Sequence, residues 1–596
     1  MGWRRAIIAA TMAAVVFGAY VRFKEESDVF CQSPDEMSEV MPGTRLHGLP
    51  LFNLSAPTRY NFFRSMFYSQ HGLGDVSFYY LGTGALTALH IPTSERNLYV
   101  LGGMTNLAFA AAGGVFAAYV LGSAPAGWIF ALLVLVSPFY VFVSKTGWAR
   151  LTWTPLLLVL VMIVEVVALR RRSVAAAIGL SLLAGFVALT DGFIMLPVVG
   201  VIAWQAIGGP HKLMRLVRDP IVIGSVAAIA LAVAVDVAVG VMAHRRGSGL
   251  TMISYVLVRG GSGVVPSLHV LGAWLQSIDY YFPFRGASVV VLGAFVAAVV
   301  AGVRGDPIGA VAFWFALASA GLIRYAGAVE AINPTSVPGF LNAYYIAPPS
   351  LLLVAWLCAR LAERRIGWVA TIAIVLVAAA MARQSWIVAF AEPPRPDIAP
   401  NRLVKYTDMP LSACRTVKAA AYYIRSHEHG TLPYVFHLSS DPYVGHIGEF
   451  YYGLSYSRSS KPEDPNHLLD FGYQQFGHYN PPETFYKPYG VAHFDYYVEF
   501  AEERIDLPTD RPFAASMSDR LRREGARVVC TIWDNGRAIG RVLSFDGSTP
   551  VDIEYRAAAS AWDRAFARTD RLMQEPLAGT SYHFGYNWRP PAATVQ

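Results

Sequence analysis

Over roughly the first 390 positions, apolar residues come in long unbroken runs, at 6–20, 98–121, 126–144, 151–169, 173–190, 192–208, 221–243, 287–303, 308–323, 343–359 and 367–384. Most approach the ~20 residues that a helix needs to cross a bilayer, so the pattern predicts a polytopic α-helical membrane protein with about eleven transmembrane helices. Past Glu392 the runs stop. Pro393-Pro394-Arg395-Pro396 reads as a linker, and the chain beyond it alternates at the periods of helix and strand. The pattern predicts a helix over 412–426, strands over 434–438 and 495–500, a helix over 517–523, and strands over 526–533 and 537–545. The last two strands flank Asp534-Asn535-Gly536, a hairpin turn signal. The expected division is a membrane domain at 1–391, carrying an outer loop at 23–97, and a soluble α/β domain at 392–596, long enough for its own core.

Charge arbitrates the one ambiguous stretch, 173–208, which only Asp191-Gly192 divides. Arg170, Arg171 and Arg172 precede it, and Lys212, Arg215 and Arg218 come after it. One long span would put these clusters on opposite sides; a tight hairpin puts both on the basic, inner side. With the hairpin, Arg304 and the group Arg360, Arg364 and Arg365 also fall inside. The outer face then receives the loop from Arg22 to Asn97, Lys145 to Arg150, Asp191, the loop from His244 to Arg285, Arg324 to Asn342 and the C-terminal region.

Composition agrees with this picture. Hydrophobic residues make up 54% of the chain and charged ones 15%, against about a quarter charged in soluble proteins. The formal charge of +7 lies in short turns between apolar runs, which sets topology and offers no nucleic-acid face. Abundant arginine and alanine beside little lysine point to a bacterium, hence an inner membrane and a periplasm. Arg4 and Arg5 before the first run fit either a signal peptide or a first span. With no small-x-small cleavage site after it, the segment is expected to be retained.

The best catalytic candidates are Asp35 and Glu36 in Ser33-Pro34-Asp35-Glu36, about a dozen residues after the first run. Pro34 ends the preceding element and starts a new one near the bilayer surface. An equally good plain reading is that the two acids favour the positive end of a short helix through Val40. The aromatic and arginine-rich stretch 60–68 suits either a helix in the headgroup plane or packing against protein. In His71-Gly72-Leu73-Gly74-Asp75 the glycines allow a sharp turn that presents His71 and Asp75 to the membrane mouth. Together with the Asp-Glu pair they supply oxygen and nitrogen ligands for a possible divalent metal ion, although the spacing follows no metal rule. Asp191 caps its hairpin, Glu165 and Asp236 are expected to pair with neighbouring helices, and Arg324 reaches lipid phosphate from a helix end. The Tyr-, His- and Asn-rich segment 451–489 fits either stacking on sugar rings or an inert surface loop. Of the four cysteines, Cys358 lies in an apolar run, while Cys414 and Cys530 share one outer segment where a disulfide is permissible.

These pieces resemble the GT-C superfamily of glycosyltransferases, in particular the protein O-mannosyltransferase and lipid A aminoarabinose transferase branch. Pro34-Asp35-Glu36 looks like the Asp-Glu pair of that family's first outer loop. His71-Gly72-Leu73, Tyr79-Tyr80-Leu81 and Ser94-Glu95-Arg96 are similar to the segment leading into its second helix. Arg324-Tyr325 and Tyr344-Tyr345-Ile346-Ala347-Pro348-Pro349 resemble its late Arg/Tyr-Pro region. The chain departs from the family where His-Pro-Pro-Leu is common, and at Asp191, where a basic residue is common.

The resemblance implies a sugar moved from a polyprenyl-phosphate carrier to a glycan, lipid or protein acceptor on the outer face, with inversion. Asp35 would be the general base and Glu36 its partner. His71, Asp75, Asp191, Arg324, Tyr344 and Tyr345 would be substrate-binding. Two other classes stay open: a non-catalytic assembly subunit on the same scaffold, which the missing His-Pro-Pro-Leu favours, and a transporter, which the gathering of acids in outer loops disfavours.

Overall fold

The computed structural model describes residues 2–24, 95–144, 149–190, 197–201, 217–242, 267–279, 286–332, 345–364, 367–390, 411–427, 435–438, 495–501 and 518–561, with isolated positions at 89, 91, 214, 215 and 282. They form a helical unit and a C-terminal unit.

The helical unit contains α1 (Gly2–Phe23), α2 (Glu95–Tyr119), α3 (Ala124–Val136), α4 (Pro138–Ser144), α5 (Ala149–Arg171), α6 (Val174–Thr190), α7 (Pro220–Met242), α8 (Leu268–Asp279), α9 (Ala287–Val303), α10 (Ile308–Ile332), α11 (Ala347–Ala362) and α12 (Gly367–Phe390). With α3 and α4 counted as one bent span, ten of the eleven apolar runs carry a helix; the run at 192–208 lies largely outside the described residues. Four of these helices are long and apolar enough to cross a membrane, or five with the α3–α4 pair, which bends by 61°. Five more are shorter apolar helices.

Large apolar side chains face outward on this unit: Leu182 and Val289 are each 71% exposed and Leu376 is 65% exposed. Water would oppose that arrangement and hydrocarbon does not, so the surface is one built for lipid.

Small residues set the helix contacts, as expected where lipid removes the hydrophobic drive between helices. A Cβ on Gly127 would lie 2.5 Å from the carbonyl oxygen of Gly114, and one on Gly302 would lie 2.6 Å from Cα of Gly309. The α2–α3 and α9–α10 crossings therefore bring backbone to backbone.

Ion pairs mark one end of the unit. Arg360 of α11 donates to Asp306 at 2.7 Å, Arg4 of α1 lies 3.9 Å from Glu363, and Arg172 pairs with Asp219. The last pair brings the starts of α6 and α7 to one place, which is what the hairpin over 173–208 requires.

The C-terminal unit is a five-stranded mixed sheet with one long described helix, α13 (Leu411–Ser426), packed on it. Strands β1 (Val435–Leu438), β2 (Tyr496–Phe500), β3 (Arg527–Asp534), β4 (Arg537–Ser544) and β5 (Val551–Glu554) lie in the order β1-β2-β4-β3-β5. The β1–β2 and β3–β5 pairs are parallel and the two between them antiparallel. The β3–β4 turn has Asn535 at φ 52° and Gly536 at φ 78°, the paired left-handed geometry that matches strand twist. On the inner face, Gly540 lets α13 approach closely, since a Cβ there would lie 2.2 Å from Thr416 Cγ2. Thr416 Oγ1 donates to the Ile539 carbonyl at 3.0 Å. Arg415 of α13 is buried against Asp534 at 2.7 Å and lies over the Tyr555 ring.

The disulfide that the sequence permits between Cys414 and Cys530 is not formed. Cys530 is a buried, free thiol on β3, and Cys414 on α13 is bonded in a different disulfide. Burial, followed by the charge of Asp552, pushes the Cys530 thiol up to about 12. Burial pushes the Tyr423 hydroxyl up to about 12 as well, helped by Tyr496, Cys530 and Asp546.

Candidate functional site

The helix directions place the candidate site. Since Arg360 near the end of α11 meets Asp306 just before α10, those two helices run antiparallel and pack together. Arg324 stands 16 residues into α10, about 24 Å above that ion pair at 1.5 Å per residue. Tyr345, 15 residues before Arg360, stands about 22 Å above it by the same measure. The two candidates therefore share the end of the helical unit opposite the basic turns. Arg324 is exposed, whereas Tyr345 is 5% exposed, immediately ahead of α11 with its Pro348-Pro349 start.

The same end holds a group that sequence reasoning misses. Arg4 near the start of α1 is at the basic end, so Arg22, 18 residues on, reaches the distal one. The hydrophobic pattern assigns Arg22 to the start of the polar outer loop. It is instead 1% exposed, and all five of its N–H groups are engaged. Nε and Nη2 donate to Asn106 Oδ1 at 3.1 and 2.8 Å, Nη1 to the carbonyls of Gly18 and Leu135 at 3.0 and 2.9 Å, and Nη2 to that of Val134 at 3.2 Å.

Sequence explains why those carbonyls are available. Pro138 has no N–H, so it cannot serve Val134 four residues earlier; the Ser137 N–H donates there instead, at 3.3 Å, and the chain breaks at Ser137 between α3 and α4, leaving the carbonyls that follow to outside donors. Arg22 takes two of the exposed carbonyls, and Ser385 of α12 donates to a third, that of Val136, at 2.7 Å. With its donors saturated, Arg22 braces the bend and has no N–H left for a phosphate. Beside it, Lys24 lies 5.0 Å from the Tyr20 ring centroid, and Tyr20 stacks on Trp386 at 5.8 Å. The signals visible in the sequence are an arginine closing the first apolar run, an asparagine inside the second, and a proline inside the third.

Asp35, Glu36, His71, Asp75, Asp191 and Tyr344 lie outside the described residues, as does segment 451–489. Among the described residues, no three His, Cys, Asp or Glu side chains come together as a metal site. Glu165, expected to pair with a neighbouring helix, is buried in α5, and its Oε2 has no hydrogen-bond partner.

Together these features describe a polytopic α-helical membrane protein with a small α/β unit after it. The solved structures give that fold a particular counterpart. The chain is similar to ArnT from Cupriavidus metallidurans. Against the crystal structure of that protein bound to undecaprenyl phosphate, the TM-score is 0.53 at 13% identity, covering 91% of this chain and 98% of that one. Against its apo structure the TM-score is 0.49 at 14% identity, covering 91% and 100%. At these identities the likeness is one of fold. No protein-family model and no curated protein matches the chain.

Proposed function

We propose that this protein is an integral membrane glycosyltransferase that moves a sugar from a polyprenyl-phosphate carrier to an acceptor at the distal end of its helices. The observation that carries the reading is the fold shared with a protein solved with undecaprenyl phosphate, extending over 91% of the chain. Supporting it, the Asp35-Glu36 pair comes only about a dozen residues after the distal end of α1, and Arg324 and Tyr345 occupy the same end of α10 and α11.

In this reading Asp35 removes the proton of an acceptor hydroxyl as its oxygen attacks the anomeric carbon. The new C–O bond forms opposite the one that breaks, so configuration inverts, and the polyprenyl phosphate departs with the bonding electrons. A positioned base of this kind contributes roughly 10²- to 10⁴-fold. Glu36 orients the acceptor or the base. Arg324 receives the departing phosphate, because a guanidinium fork matches phosphate oxygens. Tyr344, Tyr345, His71, Asp75 and Asp191 line the donor and acceptor paths. The chain sits in a bacterial inner membrane with its distal end and C-terminal unit periplasmic, where no nucleotide sugar is present and a preactivated lipid donor is needed.

The test uses the full chain in lipid vesicles with a polyprenyl-phosphate sugar. Asp35→Asn is expected to lose transfer at least 10²-fold while remaining inserted and folded. Undiminished transfer by that variant ends the assignment of Asp35. If wild type is inactive and Asp35→Asn restores a deletion strain's glycan, the chain is an assembly subunit on a glycosyltransferase scaffold.

A further inference from the structure

We propose that the disulfide of Cys414 is made with Cys31, so that the first outer loop is covalently fastened to α13 four residues ahead of Asp35. The chain has four cysteines, Cys31, Cys358, Cys414 and Cys530. Cys414 is disulfide-bonded, and Cys358 and Cys530 are both free thiols. Within one chain, that leaves Cys31.

The anchor at the Cys414 end is a fixed one. Cys414 is fully buried on α13, and the residues after it hold that helix to the sheet: Arg415 to Asp534 at 2.7 Å, and Thr416 to the Ile539 carbonyl at 3.0 Å. An extended chain spans at most about 3.6 Å per residue, so Asp35 lies within about 14 Å of Cys31, and a disulfide spanning about 6 Å between Cα atoms keeps it within about 20 Å of Cys414. The stretch of about seventy residues between α1 and α2 thereby gains a fixed point beside its acidic pair.

Forming the bond converts two thiols to one disulfide and releases two protons and two electrons. The electrons go to the disulfide of a protein dithiol oxidant, the class of acceptor that an oxidising compartment supplies. Cys530 takes no part, because its thiol is buried on β3 and held protonated far above neutral pH, and the thiolate is the attacking form.

Peptide mapping of the full chain tests this without any assumption about activity. Protein purified from membranes is denatured in the presence of N-ethylmaleimide without reductant, digested, and analysed by mass spectrometry. The expected result is one cross-linked species joining the Cys31 and Cys414 peptides within a single chain, with Cys358 and Cys530 alkylated. A Cys414–Cys530 peptide, alkylation of both Cys31 and Cys414, or a Cys31 bond between two chains overturns the proposal.

The effect on Asp35 rests on the proposed transferase reading and is measured separately. Reductant is expected to lower transfer several-fold in the wild type, and Cys31→Ser is expected to show the lowered rate with or without reductant. A wild-type rate that reductant leaves unchanged, in protein whose cross-link is shown to be broken, removes the positioning role.

Discussion

Two buried arginines, one in each unit, show how differently the two halves of this molecule handle charge. In the C-terminal unit Arg415 meets the carboxylate of Asp534, and its guanidinium also lies 5.3 Å from the Tyr555 ring centroid. In the helical unit Arg22 is equally buried, but its donors go to the side-chain amide oxygen of Asn106 and to the backbone carbonyls of Gly18, Leu135 and Val134. The sheet unit balances one charge with its opposite, whereas the helix bundle spreads it over dipoles that a broken helix leaves exposed. The difference tracks the architecture: the sheet unit can bring in a carboxylate from a strand end, while the membrane helices offer mainly their own backbone.

Removing one partner on each side should separate these two solutions. The largest effect is expected for Asp534→Ala, which leaves Arg415 buried without its carboxylate and should cost about 3–5 kcal/mol of the C-terminal unit's stability. Thermal unfolding read by circular dichroism checks it. Next comes Arg22→Met, which keeps the bulk but strands the Leu135 and Asn106 oxygens, while Val134 keeps the Ser137 N–H, at about 1 kcal/mol each or about 2 kcal/mol in all. A fall in the thermal aggregation temperature of the detergent-solubilised chain measures this. If Arg22→Met costs nothing, the bend is held by packing alone.

Alkaline pH should act on the C-terminal unit. The Cys530 thiol rises from an ordinary value of 9.0 to about 12, and the Tyr423 hydroxyl from 10.0 to about 12. The folded state therefore holds protons that the unfolded state releases, so the associated stability is full below about pH 9 and is lost as pH climbs from about 9 to 12. Cys530→Ala should flatten the lower part of that decline in melts run at stepped pH. The smallest effect is Gly536→Ala at the β3–β4 turn, where φ of 78° should cost about 1–2 kcal/mol without changing the pH profile.

The two units also differ in how openly their sequences declare them. Strands β1 to β4 and α13 fall within a residue or two of expectation, because alternation and an Asn-Gly turn are local signals, whereas the short β5 lies outside the expected strands. The apolar runs likewise announce their helices. Pro138 is hidden inside the run at 126–144, since apolarity continues across a break that only the missing N–H creates. Arg22 reads as polar loop because its acceptors lie 84 and 113 positions away, which no local pattern encodes. The amphipathic α8, inside the loop assigned to 244–285, has no counterpart among the expected elements. The Cys414–Cys530 pairing fails because sharing a segment says nothing of which sulfurs meet. Of the proposed substrate-binding residues, the structure brings Arg324 and Tyr345 to one end of one helix pair, whose antiparallel register is fixed by an ion pair at the far end.

The bend between α3 and α4 has a consequence for how the chain is assembled. Its bare carbonyls are covered by Arg22 from α1 and Ser385 from α12, so the kink stays incomplete until synthesis has delivered both ends of the membrane region. A ribosome-bound intermediate that stops short of α12 carries an unfinished third span, and insertion of that helix is what closes it.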